Sequence, residues 1–217
     1  MMRRNKIPAR TYMLWLLLCL SSVAYAQDAF RSMENIAGFR EKMKEASANT
    51  QSIASDIIQL KHLSFLEEDV KSKGNFYFQK ENKLRWEYTE PFNYLIIFNN
   101  DTVMIQDDRK TNVYDVASGR MFREINDIML SMVNGAILDS DKFEFEYFES
   151  TSSYKLELVP LDDNMKEFLS KIRLFINKED LTADELYMIE RSGDFTQIRF
   201  INKRLNEDIP KHTFDLP

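Results

Sequence analysis

The chain has 217 residues, 44% of them hydrophobic and 29% charged, and a formal net charge of −6. That acidity excludes the basic footprint that nucleic acid requires and disfavours unassisted docking on anionic lipid. A single cysteine excludes an internal disulfide.

Arg3, Arg4, Lys6 and Arg10 make a positive leader, and residues 12–20 are a short apolar run. That run falls well short of the roughly 20 apolar residues a bilayer-spanning helix needs. Ala24-Tyr25-Ala26 fits the small-x-small pattern of signal cleavage. The expectation is an exported chain: residues 1–26 a cleaved signal, residues 27–217 one domain. Shedding the four cations takes the net charge from −6 to −10. Cys19 would leave with the signal, and Leu18 before it is too large for a lipid-attachment motif.

Residues 30–48 carry Met33, Ile36, Phe39, Met43 and Ala46 at three- and four-residue steps, which predicts an amphipathic helix that Gly38 weakens. From Ile53 the period changes to two. Strands are expected at 54–64, 73–80, 83–89, 94–99, 102–107 and 111–116. Residues 74–91 stand out as a hairpin. Phe76 and Phe78 share one face of its first strand, and Leu84, Trp86 and Tyr88 share one face of its second. Glu81 and Asn82 supply the turn, Arg85 and Glu87 point the other way, and Pro91 ends the unit. Asn99-Asn100-Asp101 and residues 107–110 read as the next turns of a meander.

A second helix is expected at 123–134, with Ile125, Ile128, Met129 and Met132 on one side and Gly135 after it. Alternation then resumes. Phe143, Phe145 and Tyr147 oppose Glu144 and Glu146, and Leu156 and Leu158 oppose Lys155 and Glu157. A helical turn at 163–169 precedes strands at 171–177, 185–191 and 195–202, the last two joined through Ser192-Gly193-Asp194. Residues 203–217 read as a polar tail. Together these elements predict an α+β, mainly β fold of about ten or eleven strands with two helices. No repeat of fixed period points to a propeller or solenoid.

Chemistry is hard to find. Nucleophile-elbow, zinc-protease, phosphate-loop and dinucleotide motifs are absent, and the five glycines are scattered. His62 and His212 are the only imidazoles, so no metal site is expected. The acidic clusters Glu67-Glu68-Asp69, Asp107-Asp108 and Asp162-Asp163 all fall in turns or strand ends. Two acids suffice for glycoside hydrolysis, but nothing sets a pair beside a cleft. The chain reads as a non-enzyme without a cofactor. It does carry sixteen Phe, nine Tyr, two Trp and eleven Met. Either all of this packs as core, or two short helices leave part of an aromatic sheet uncovered as a cavity suited to acyl chains.

The run GNFYFQK from Gly74, followed by LRWEYTEP from Leu84 to Pro91, resembles the LolA family of periplasmic lipoprotein carriers. The signal segment, the leading helix, Ile57-Ile58-Gln59, the strand from Tyr94 to Phe98 and Asp101-Thr102-Val103 follow in the same order. The resemblance implies a strongly curved antiparallel sheet, an incomplete barrel, with a helical lid over an apolar cavity. It would place Phe76, Phe78, Leu84, Trp86, Tyr88, Tyr94, Ile96 and Phe98 toward that cavity, and Ile128, Met129 and Met132 in the lid. Lys80 stands where the family's best-known members use a lid-holding arginine, and lysine lacks the planar fork. The implied partners are an acylated lipoprotein or other lipid cargo, an inner-membrane release machine and an outer-membrane acceptor. The implied state is a periplasmic monomer. A different class of function also fits: an envelope sensor or assembly module whose sheet face docks a protein.

Overall fold

The computed structural model describes residues 29–80, 82–100, 102–115, 131 and 135–215. The expected signal at 1–26 lies outside the described residues, as do Glu81, Asp101 and the expected lid residues Ile128, Met129 and Met132. Of the expected helix at 123–134 only Ser131 is described, and it is helical.

Twelve strands form one antiparallel sheet. They are β1 (Arg31–Ser32), β2 (Ser52–His62), β3 (Val70–Gln79), β4 (Lys83–Glu90), β5 (Tyr94–Asn99), β6 (Thr102–Asp107) and β7 (Thr111–Asp115), then β8 (Phe143–Glu149), β9 (Ser153–Pro160), β10 (Lys171–Asn177), β11 (Ala183–Ile189) and β12 (Phe195–Leu205). Their spatial order is β1-β8-β9-β10-β11-β12-β2-β3-β4-β5-β6-β7. Two meanders, β2–β7 and β8–β12, are therefore fused where β12 returns to pair with β2, from Phe195 opposite His62 to Leu205 opposite Ile53. Among the described residues β1 and β7 are the two flanks, and the sheet does not close on itself.

The strand count exceeds the expected ten or eleven because of β1. Its two residues pair with Glu149 and Phe148, too short a segment to show any alternation. That pairing also corrects the start of the first helix. α1 spans Ile36–Asn49, begins five residues after β1 opens, and is capped by Asn35, whose Oδ1 accepts from the Gly38 N–H at 2.8 Å. Phe39 and Met43 are its buried residues; Ile36, expected on the same stripe, is exposed. Phe39 packs against Tyr154 and Tyr147, so α1 lies over the inner face of β8 and β9. A short helix α2 (Asp163–Phe168) links β9 to β10, with Asp162 accepting from the Met165 N–H as its cap.

Register turns the alternation of β3, β4 and β5 into cross-strand rows. Phe78, Leu84, Phe98 and Val103 form one; Phe76, Trp86, Ile96 and Ile105 the next; Gly74, Tyr88 and Tyr94 the third. The tail is more than polar. Phe214 sits in a 3-10 turn (Lys211–Phe214) against β4 and β5, 2% exposed. Arg85 donates to the Thr213 carbonyl and Asn99 to that of Phe214, pinning the tail to the outer face.

Gly74 has a steric reason. A Cβ there would lie 1.7 Å from the Glu87 carbonyl oxygen, where the β3–β4 register shifts between Lys73 and Gly74. Gly74→Ala must push two backbones apart and should cost about 2–3 kcal/mol. A thermal melt should show a midpoint lower by roughly 5–10 °C; an unchanged midpoint would refute this account of the glycine.

Candidate functional site

The inner faces of eight strands, β2 to β5 and β9 to β12, line a single cavity of about 650 Å³. One void touched by that many neighbouring strands requires the sheet to curl around it. Its volume falls within the range of about 300–1,000 Å³ usual for ligand sites. One wall is aromatic: Phe76 meets Trp86 and Phe200 edge to face at 5.4 and 5.5 Å, and Tyr88 lies 6.3 Å from Trp86. The opposite wall is aliphatic, with Leu156, Ile172, Leu174, Ile176, Leu186 and Ile198. Among the described residues, Met43 of α1, Met165 and Phe168 of α2, and Ile137 and Leu138 of a 3-10 turn (Ala136–Asp139) contribute to the cover.

Of the eight cavity residues expected from the resemblance, Phe76, Leu84, Trp86, Tyr88 and Ile96 line this void. Phe78 and Phe98 flank Leu84 in the same cross-strand row, 5% and 2% exposed, and pack with Val103 as core outside the lining. Tyr94, the first residue of β5, is partly buried and lies outside the lining. Lys80 donates through Nζ to the Ala48 carbonyl at 2.8 Å, a contact with the last turn of α1. The whole aliphatic wall was missing from the expected site. Its strands were legible, but no local signal says which face of each strand meets the β3–β4 hairpin.

The few polar groups divide between the two ends. At one end Tyr88 donates its hydroxyl to Gln59 Oε1, and burial pushes the Tyr88 pKa up to about 12. Glu190 and Thr196 also reach this end. At the other, Lys203 donates to Asp184 at 2.6 Å, Asp180 at 2.9 Å and Thr182 at 2.8 Å. Burial works against the Asp180 charge, yet hydrogen bonds from Thr182 and Lys203 hold its carboxyl below the usual range. The Trp86 Nε1–H is buried with no partner among the described residues. His62 stacks on Phe195 and meets Asp69, a surface arrangement, and the described residues hold no cluster of metal-ligand type.

An open antiparallel sheet curled around a mostly apolar cavity is the architecture of this chain. The family model described as "Outer membrane lipoprotein carrier protein LolA" matches residues 48–217, and the chain belongs to that family. It is similar to an outer-membrane lipoprotein carrier protein of Methylococcus capsulatus, 22% identical over 200 residues, covering 91% of this chain and 88% of that protein. A second such carrier, of Dechloromonas aromatica, is 24% identical over 178 residues and covers 82% and 83% respectively. Among solved structures, the complex structure of Pseudomonas aeruginosa MucA/MucB matches in fold with a TM-score of 0.52 at 8% identity, covering 83% of this chain and 61% of that one. No helix among the described residues is long and apolar enough to cross a membrane.

The Tyr88 environment makes a pH prediction. An unfolded tyrosine loses its proton near pH 10, whereas Tyr88 in the folded chain holds its proton to about 12. The folded state therefore binds more protons in this window, and stability falls as pH rises from about 10 toward 12. Tyr88→Phe should shrink that alkaline loss when urea midpoints are compared on either side of pH 10. An identical loss in the variant would show that Tyr88 does not titrate this way.

Proposed function

We propose that the protein is a periplasmic carrier that shelters the acyl chains of a lipoprotein, or of a related lipid, between inner and outer membrane. In this reading residues 1–26 are the export signal and 27–217 the carrier. The observation that carries it is the unfilled apolar void, walled by the same β3–β4 hairpin that carries the family resemblance. Family membership supports it, since both curated relatives bear the carrier name.

The mechanism is physical. Burying one methylene is worth about 0.8 kcal/mol, so a C16 chain gains on the order of 10 kcal/mol in a dry cavity. That keeps the chain out of water but would make release slow. A cover that trades packing on itself for packing on the ligand lowers the net affinity, and handover then runs downhill to a better-fitting acceptor. Lid residues Lys80, Ile128, Met129 and Met132 are proposed for that exchange.

Strand direction suggests which end exchanges cargo. Phe65 and Leu66 between β2 and β3, Val70 at the start of β3, Phe92 between β4 and β5, and Leu161 and Phe168 between β9 and β10 are all exposed. Antiparallel register puts these three connections at one end of the sheet. Phe168 both lines the cavity and is 63% exposed, so the void reaches the surface at that end. An inner-membrane donor and an outer-membrane acceptor would meet the protein there.

Native mass spectrometry of the purified protein should reveal a co-purified acyl ligand or uptake of an added lipopeptide. Trp86→Glu puts a carboxylate into the apolar wall and should lower uptake at least about ten-fold, with circular dichroism near that of the wild type. A second reading is that the sheet face docks a protein, as an envelope sensor would; the Pseudomonas protein of similar fold was solved in a complex. A wild-type protein that takes up no acyl probe, yet captures a polypeptide that lipid fails to displace, would replace the carrier reading with this one.

A further inference from the structure

The end of the cavity away from Phe168 is built around an unusual residue. Leu181, in the β10–β11 turn, has φ +55°, a left-handed conformation that glycine and asparagine adopt readily and a leucine rarely. Its side chain lines the cavity. The turn that holds it is heavily determined. The Leu181 N–H donates to the Asn177 carbonyl, and the Thr182 N–H and hydroxyl both donate to Asp180 Oδ1. Lys203 then ties Asp180, Thr182 and Asp184 together from the neighbouring strand.

Lys203 reaches them through a second irregularity. Along β12 Thr196, Ile198 and Phe200 face the cavity, so simple alternation would turn Asn202 inward and Lys203 out. A register shift between Ile201 and Arg204, with Asn202 at φ +53°, reverses this and aims Lys203 inward. Two independent departures from regular backbone thus converge on one place. Their joint effect is to hold an isobutyl group, backed by an ion-paired cluster, across one end of an apolar void. Strain kept at a cavity wall and clamped from a second strand points to function.

We propose that Leu181 is a stop that sets how long a hydrocarbon chain the cavity accepts; this rests on the acyl-chain reading above. The lining runs from Thr196 to Lys203 on β12, about 20 Å of strand. A straight chain entering beside Phe168 would run along this axis with its terminal methyl against Leu181. The Lys203–Asp180–Asp184 cluster behind the leucine repels further methylenes, because ions that are already paired gain nothing from hydrocarbon and lose their hydrogen bonds if pushed apart.

The test is a chain-length profile. Affinities of 1-acyl lysophosphatidylcholines with saturated chains from C12 to C20 are measured for wild type, Leu181→Gly and Leu181→Phe. Wild type should show an optimum length. L181G removes the stop and relieves the backbone, so its thermal midpoint should hold or rise while the optimum moves to longer chains. Room for about two more methylenes should favour the longer chain roughly ten-fold relative to wild type. L181F keeps the strain, intrudes further and should move the optimum to shorter chains. General destabilisation would not move the optimum in opposite directions. Binding with one unchanged optimum in all three proteins would overturn the stop and leave the carrier reading standing. No binding of any chain by wild type would remove both.

Discussion

The inner faces of β2 to β5 and β9 to β12 curl around one apolar cavity, which the described side chains of α1, α2 and the Ala136–Asp139 turn border without filling. That curvature is the constraint from which the site follows. A helix covers a strip roughly 10 Å wide, and here α1 rests on β8 and β9 while α2 rests beside β9. Side chains on β3 to β6 pack solidly along one cross-strand row, at Phe78, Leu84, Phe98 and Val103. Around the cavity the facing walls stop short of one another. A protein interior normally packs to the density of an organic crystal, so a void of about 650 Å³ in so apolar a setting is a structural choice with an energetic cost.

Tyr88 and Lys203, at the two ends of the lining, are both partnered. Tyr88 is neutral and satisfied by Gln59. Lys203 is paired with two carboxylates. Buried charges of this kind add little net stability, because desolvation offsets attraction. Their value here is geometric: they fix a turn and a bulge at one end of the cavity. A similar cluster ties β9 to β10, where Glu157 gathers Lys155, Lys171 and Arg173.

Local alternation made most of the strands legible, and 94–99, 102–107 and 171–177 fall where the period-two pattern puts them. The shared face of Phe76 and Phe78, and that of Leu84, Trp86 and Tyr88, follows from the same periodicity. What the sequence leaves hidden is set by partners far along the chain. β1 exists only because β8 offers an edge. Whether Phe78 borders a void or a filled core depends on Phe98 and Val103, not on its own strand. Leu181 gives no warning at all: its neighbours are ordinary turn residues, and only the contacts of Lys203 explain a leucine in a glycine-like conformation.

The fusion of β12 to β2 has a temporal side. Residues paired there are separated by more than 130 positions, so neither meander gains its neighbour until the last strand exists. Loop closure over such a distance is slow, and sheets dominated by distant pairings form over milliseconds to seconds. An emerging chain that holds β2 to β7 alone therefore presents a bare edge and an aromatic face to its surroundings. The strand that ends this exposure, β12, emerges after the other eleven, so the edge of β2 stays unpaired until it arrives.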